Sequence, residues 1–382
     1  MKDDGIFFSG LKTGIYILSF LLVSFTVLPF FRMNSWWIRL GDFPRVQIAS
    51  LAVIVILAMI LFLRPFNLYN LSLILVLFLC VCYQIYCIAP YLPIYRYEVQ
   101  STDEDLPGKP FKLFLSNVLI DNEDASKLVS TIREEDPDVI FLAEPNQRWI
   151  DDIGVLKKDY PYSVEKPLDN AYGMALYSRL RLKNTKIRYL VEDDIPSIHT
   201  DIELSSGDWI RFFGVHPRPP VPGESERSTE RDAELVLVGD IARNTEKPTI
   251  VAGDLNDVAW SRTTGLFQKV SGLLDPRVGR GLYNSFHAEY AFLRFPLDHV
   301  FHSSHFRLVE LKRLPYIGSD HFPLLVVLNL ESDAKRTHET PVPDRNELKQ
   351  ANQIVQEAED VVNKPLANIG TDSNKEKKNI GQ

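Results

Sequence analysis

The chain has 382 residues, with 50 acidic and 42 basic side chains and a net charge of −8. That length holds two or three folding units. The charge excludes a strongly basic nucleic-acid footprint.

Apolar residues are concentrated near the N-terminus. Thr13–Phe31 runs 19 residues without a charge, Val46–Leu63 runs 18, and Leu68–Tyr95 runs 28. Each reaches the length of about 20 residues that crosses the hydrocarbon core of a bilayer. A cleaved signal peptide is a poor fit, because Asp3 and Asp4 precede the first run and no small-residue cleavage site follows it. Trp36 and Trp37 follow the first run, and Tyr91, Tyr95 and Tyr97 cluster at the end of the third, as interfacial belts do. The reading is three transmembrane helices, with a lipid bilayer as partner through residues 13–95.

With three spans, the two termini face opposite sides. Arg32, Arg39 and Arg45 in the first loop lean the C-terminal part toward the cytoplasm. Lys2, Lys12 and Arg64 on the other side match them in number, so composition leaves the orientation open. Cys80, Cys82 and Cys87 all lie in the third apolar run, and no disulfide framework is implied.

Glu98–Pro110 is polar and carries two prolines, which reads as a linker. Short apolar, β-branched or aromatic runs then predict strands at Phe111–Leu115, Val139–Ala143, Met174–Ser178, Ile210–Val215, Thr249–Ala252, His299–His302 and Leu324–Leu330. Helical stripes fall at Asp124–Glu135 and Ser228–Arg243, the first ended by Asp136-Pro137-Asp138. Mixed strands and helices over this length indicate one α/β or α+β domain. The expected division is a membrane domain over 1–97, a linker over 98–110, a catalytic domain over 111–331 and a polar, disordered tail over 332–382. Within that tail, Asn346–Asn363 carries a helical stripe of Leu348, Ala351, Val355, Ala358 and Val362.

The chemistry lies at strand ends. In GDLND (Gly253–Asp257), Asp254 and Asn256 leave a buried run two residues apart and so on one side. In GSDHFP (Gly318–Pro323), Asp320 and His321 stand just before the last strand. Asp298 opens a strand, His216 follows one and precedes a Pro-rich loop, and Asn117 and Glu144 stand at the ends of the first two. Any single strand-end Asp or Asn is ordinarily a turn or cap residue. Carboxylates, amides and imidazoles gathered at one sheet edge would suit a hard divalent cation and attack on phosphorus.

The ordered set Asn117, Glu144, Tyr177-Ser178-Arg179, His216, GDLN, Leu297-Asp298-His299 and SDHFP resembles the endonuclease/exonuclease/phosphatase superfamily, over Phe111 to Glu331. The resemblance implies a four-layer α/β sandwich, two mixed β-sheets face to face with helices outside. It also implies divalent-metal hydrolysis of phosphate esters, with Mg²⁺ or, in its place, Mn²⁺. On this resemblance Glu144 is the principal metal carboxylate, with Asn117 and Asp320 beside it at the metal. Asp254 positions or deprotonates the attacking water, and Asn256 orients phosphate or water. Asp298 and His321 form an Asp–His dyad, and His216 stands by the leaving oxygen. Ala143 departs from the family, which commonly has Gln before the metal Glu; the Gln is a supporting residue, and the metal role of Glu144 stands.

Arg218 has two readings, a phosphate contact or a solvent-facing loop residue. His299, His302 and His305 form a His-x-x-His-x-x-His run that suggests zinc, but residues three apart on a strand face opposite ways. Packing and surface roles fit these three better.

Residues 111–331 contain 26 basic and 34 acidic side chains. Duplex binding relies on cationic neutralisation of phosphates, so this balance disfavours a dedicated nuclease. The expectation is a membrane-anchored, bacterial-type phosphodiesterase of the cell membrane, acting on a lipid, nucleic-acid or small-molecule phosphoester. The alternatives are a nuclease and a catalytically silent scaffold, and the near-complete set of site residues argues against the latter.

Overall fold

The three apolar runs are helical in the computed structural model, which describes residues 2–102, 110–362 and 365–366. They form α1 (Lys2–Val27), α3 (Arg45–Phe62) and α4 (Leu68–Ile88), with a single turn, α2 (Trp36–Arg39), between the first two. The segments Phe8–Phe31, Arg45–Phe62 and Leu68–Tyr91 are long and apolar enough to cross a membrane. Most of their surface faces outward, as lipid contact allows, while Ile15, Ala52, Val55, Met59 and Leu77 pack the seam between them. Polar side chains buried between the helices bond one another: Arg45 Nη1 donates to Gln84 Oε1 at 2.9 Å, and Gln84 Nε2 to Thr26 Oγ1 at 3.0 Å.

Two mixed sheets follow. The first contains β1 (Phe111–Asn117), β2 (Val139–Ala143), β3 (Tyr162–Lys166), β4 (Met174–Ser178), β10 (Phe306–Arg313) and β11 (Leu324–Leu330), in the order β10-β11-β1-β2-β4-β3. The second runs β5 (Leu182–Arg188), β6 (Ser197–Glu203), β7 (Trp209–Gly214), β8 (Thr249–Asp254) and β9 (Asp298–His302) in sequence order. Alternation along each strand makes two apolar faces. Leu113, Leu115, Phe141, Leu176, Phe212, Ile250 and Val326 fill the space between the sheets. The outer face of the first sheet, with Phe114, Ile140 and Leu142, packs under α5 (Ser126–Glu135) and α6 (Gln147–Asp152). That of the second, with Phe213, Val251 and Phe301, packs under α7 (Thr229–Arg243) and α8 (Arg262–Ser271). The four-layer α/β sandwich is therefore as expected. Contact between the sheets is close enough that a Cβ on Gly214 would lie 2.2 Å from Phe141 Cε2.

All seven expected strands form. Four others, β3, β5, β6 and β10, carry too many polar residues to read as strands. Edge strand β5 (LKNTKIR) is mostly exposed, and its Lys and Arg side chains oppose pairing with a further strand. The disordered tail needs correcting over its first part. α9 (Arg345–Val362) is a helix whose Ala351, Ile354, Val355 and Ala358 are buried against α7 and α8. Residues 363–364 and 367–382 of the expected tail lie outside the described residues, as do residues 103–109 of the expected linker. The preceding stretch of the linker is attached to the sandwich: Val99 is buried in the core, and Glu98 accepts Gln268 Nε2 at 2.8 Å and the Asp275 N–H at 2.7 Å.

Candidate active site

β1 and β2 are parallel neighbours, with Asn117 beside Ala143, so Asn117 and Glu144 emerge at the same edge. β7 and β8 repeat this in the second sheet, bringing out His216 and Asp254. β9 runs antiparallel to β8 and pairs Asp298 with Asp254. The Gly318–Pro323 turn enters β11, which runs antiparallel to β1, so Asp320 and His321 arrive at the edge where Asn117 leaves. Face-to-face packing of the sheets brings the two edges together.

Local backbone conformation supports the gathering. Gly253 has φ 153°, and a Cβ there would lie 1.8 Å from Val215 O, so no side chain fits where β8 closes on β7. Glu144 and Asn256 adopt φ of 68° and 51°, a left-handed conformation uncommon for either residue and concentrated at functional sites.

The side chains form one connected set. Asn117 Nδ2 donates to Glu144 Oε1 at 2.7 Å and to Asp254 Oδ2 at 3.1 Å. His216 Nε2 lies 3.6 Å from Glu144 Oε1, and its Nδ1 is 3.1 Å from the Asp254 carbonyl oxygen. His321 sits between two carboxylates, with Nδ1 2.7 Å from Asp298 Oδ2 and Nε2 3.5 Å from Asp254 Oδ2. Asn256 N–H donates to Asp254 Oδ1 at 2.9 Å, while its side-chain Nδ2 donates to Pro217 O at 2.9 Å.

Electrostatics follow from this geometry. Burial pulls the His321 imidazole down, but Asp298 and Asp254 outweigh it and raise the pKa to about 10. Burial likewise opposes His216, and the Glu144 hydrogen bond with the Asp254 charge pushes it up to about 9. The surrounding carboxylates therefore favour the protonated form of both rings. Burial pushes Glu144 up, yet His216 and Asn117 hold it below its usual range. Asp320 is raised, first by burial; His321 opposes this and the Glu144 charge adds to it.

Two groups of residues could hold a cation. Asp254, Asp298 and His321 offer ligand atoms within 4.8 Å of one another. Here, however, His321 Nδ1 already engages Asp298 Oδ2 at 2.7 Å, and a cation would compete with that contact. Glu144 and Asp320 instead supply carboxylate oxygens whose mutual repulsion a hard cation would relieve, which fits Mg²⁺ chemistry. Asn117 differs from expectation as an oxygen donor: its Oδ1 accepts the Leu119 N–H at 3.0 Å and its amide nitrogen faces the carboxylates. In this arrangement it holds Glu144 and Asp254 in place.

Arg218 is held by three carboxylates, lying 3.0 Å from Glu192, 2.9 Å from Asp194 and 3.3 Å from Glu224, which neutralise its charge and give it a structural role. His299 is buried between Arg277 Nη2 at 2.6 Å and Asp257 O at 2.9 Å, and His305 Nδ1 meets Ser303 Oγ at 2.8 Å. His302 Nδ1 lies 2.9 Å from Ser303 O. The zinc reading of these histidines therefore fails.

The endonuclease/exonuclease/phosphatase family model matches residues 114–321, more than half of the chain. The chain belongs to this family. It is accordingly a metal-dependent hydrolase of phosphate esters. Similar solved structures include humanized TDP2 of D. rerio (TM-score 0.49, 16% identity, covering 58% of this chain and 99% of that one). Another is the human Nocturnin catalytic domain (TM-score 0.45, 17% identity, 58% and 94% covered). A family protein from Beutenbergia cavernae is also similar (TM-score 0.48, 18% identity, 58% and 72% covered). No curated protein matches the chain.

Sequence reasoning missed several supporting residues. Ser319 Oγ donates to Asn117 O at 2.9 Å and tethers the His321 turn to β1. Buried Arg231 donates to Asn256 O at 2.7 Å and lies 3.1 Å from Asp257. Their only signal was membership of, or proximity to, the acidic motifs.

Proposed function

We propose that this family member is a membrane-anchored phosphodiesterase using Mg²⁺, with Mn²⁺ as a substitute. The observation that carries the reading is the buried His321 ring held between Asp298 and Asp254, adjoining the Asn117–Glu144–His216 group.

Glu144 and Asp320 would hold the cation, with Asn117 fixing Glu144. When bound, the cation would neutralise phosphate charge and act as a Lewis acid. Asp254 would orient a water and accept its proton. Asp298 holds the His321 ring and favours its charged form, which donates to a phosphoryl oxygen. His216 is positioned to stabilise or protonate the leaving oxygen. Asn256 steadies the GDLND turn through Pro217 and Asp254. The three apolar helices serve as the anchor, and the division into a 1–97 membrane part and a 111–331 catalytic part is part of the same proposal.

The test uses the full chain in lipid nanodiscs, offered a phosphodiester lipid, inositol phosphates, RNA and plasmid DNA, with Mg²⁺ or with chelator. Expected is chelator-sensitive hydrolysis that His321→Ala abolishes. Turnover indifferent to chelator or to His321→Ala would sink the mechanism, and cleavage confined to nucleic acid would replace this reading with a nuclease.

A further inference from the structure

The segment Phe286–Phe295 connects the site to the membrane helices. At its inner end the Phe286 and His321 rings lie 5.0 Å apart, and Ala288 N–H donates to Asp320 O at 2.6 Å. Backbone pairing of Phe286 with Phe295 closes its base. At its outer end Tyr290, Phe292 and Leu293 are exposed, Phe292 by 88%. The Phe292 carbonyl accepts Gln47 Nε2 at 2.8 Å, and Gln47 lies in the first turn of α3, where an apolar span begins. Just before α3, Phe43 packs edge-on against Phe295 at 5.7 Å.

A solvent loop of this kind is ordinarily polar. Three large apolar side chains held at the mouth of a span stand where the headgroup layer would meet them, and aromatic residues favour that layer. Exposed Phe30, Phe31 and Trp37 lie at the same end of the helices and continue the apolar belt. We propose that Tyr290–Leu293 is a bilayer-inserting tip, and that Phe286–Phe295 presents the site to phosphoesters held in the membrane surface. Insertion stands on this geometry alone, while presentation of substrate rests on the phosphodiesterase reading. The connection runs through covalent structure: the tip in the headgroup layer fixes the height of Ala288 and Phe286, and with them that of Asp320 and His321.

The experiment uses the full chain in vesicles, with an environment-sensitive fluorophore on Phe292→Cys and the native cysteines changed by Cys80→Ala, Cys82→Ala and Cys87→Ala. Lipids brominated in their acyl chains are expected to quench the label; quenching by aqueous iodide instead overturns insertion. A second arm combines Phe292→Asp with Leu293→Asp, both at exposed positions where folding does not depend on them. Turnover of a phosphodiester lipid, taken as a ratio to soluble bis-p-nitrophenyl phosphate, is expected to fall about tenfold. An unchanged ratio overturns presentation. A wild-type chain with no Mg²⁺-dependent turnover of either substrate sinks the phosphodiesterase reading and presentation with it, while the quenching arm decides insertion independently.

Discussion

Arg39, in the loop between the first two apolar spans, places Nη2 3.4 Å from Asp257 Oδ2, the last residue of the GDLND motif, and both side chains are buried. Arg39 also donates to Thr263 Oγ1 at 2.9 Å, and Asp42 O accepts Trp260 Nε1 at 2.7 Å. Tyr91, at the end of the last span, donates to Ala259 O at 2.7 Å. The apolar helices are thus bonded directly to the segment that follows β8, in addition to their covalent link through residues 98–110.

Removing Arg39 should destabilise that junction. Arg39→Met leaves Asp257 buried with Arg231 as its remaining cation, and the expected loss is about 3 kcal/mol, at the low end for a broken buried pair. Adding Asp257→Asn should recover part of it. Thermal unfolding of the detergent-solubilised chain measures both, and strictly additive losses would show that the two residues do not interact.

The Asp298–His321 pair sets a pH dependence. The folded pKa of His321, about 10, lies above its ordinary 6.5. Its contribution to stability is therefore complete below pH 6.5 and is lost as pH rises through about 10. Asp298→Asn removes the largest favourable charge, so the window should narrow toward 6.5. Melting temperature followed from pH 6 to pH 10 should fall more steeply for the wild type than for the variant. Parallel curves would contradict the assignment.

Asn117 holds Glu144 and is expected to act on the metal through it. Asn117→Ala should weaken Mg²⁺ by about 10- to 100-fold, the usual effect of losing an outer partner of a ligand. The Mg²⁺ concentration at half-maximal turnover reports this, and kcat at saturating Mg²⁺ separates weaker binding from damaged chemistry. An unaltered half-saturation would remove Asn117 from the metal's surroundings.

α9 should contribute to stability. Ile354 is buried against α7 and α8, so Ile354→Ala should cost about 2–3 kcal/mol. Denaturant unfolding at constant slope gives the value. A change within a few tenths of a kcal/mol would mean that the helix is not docked in solution.

The sequence by itself determined the three apolar helices and the seven apolar strands, and it singled out the eight side chains proposed for the site. Uncharged runs of bilayer length, short β-branched runs and polar residues at strand ends are local signals, each visible within a window of a few residues. Polar edge and buried strands such as β5 and β6 were not legible, because pairing with neighbours, and not their own hydrophobicity, makes them strands. α9 showed in the sequence as a helical stripe, but its docking did not: Ala351, Ile354, Val355 and Ala358 become a core only where α7 and α8 supply the other side.

Tertiary structure alone decided how the site residues divide their partners. That Asn117 turns its amide toward Glu144 and Asp254, that Arg218 is held by three carboxylates, and that Arg39 reaches Asp257 are long-range facts. They join positions from 6 to 218 residues apart. A hydrogen bond or ion pair depends on distance and direction in space, and only the packing of one sheet on the other, with the apolar helices against them, sets those.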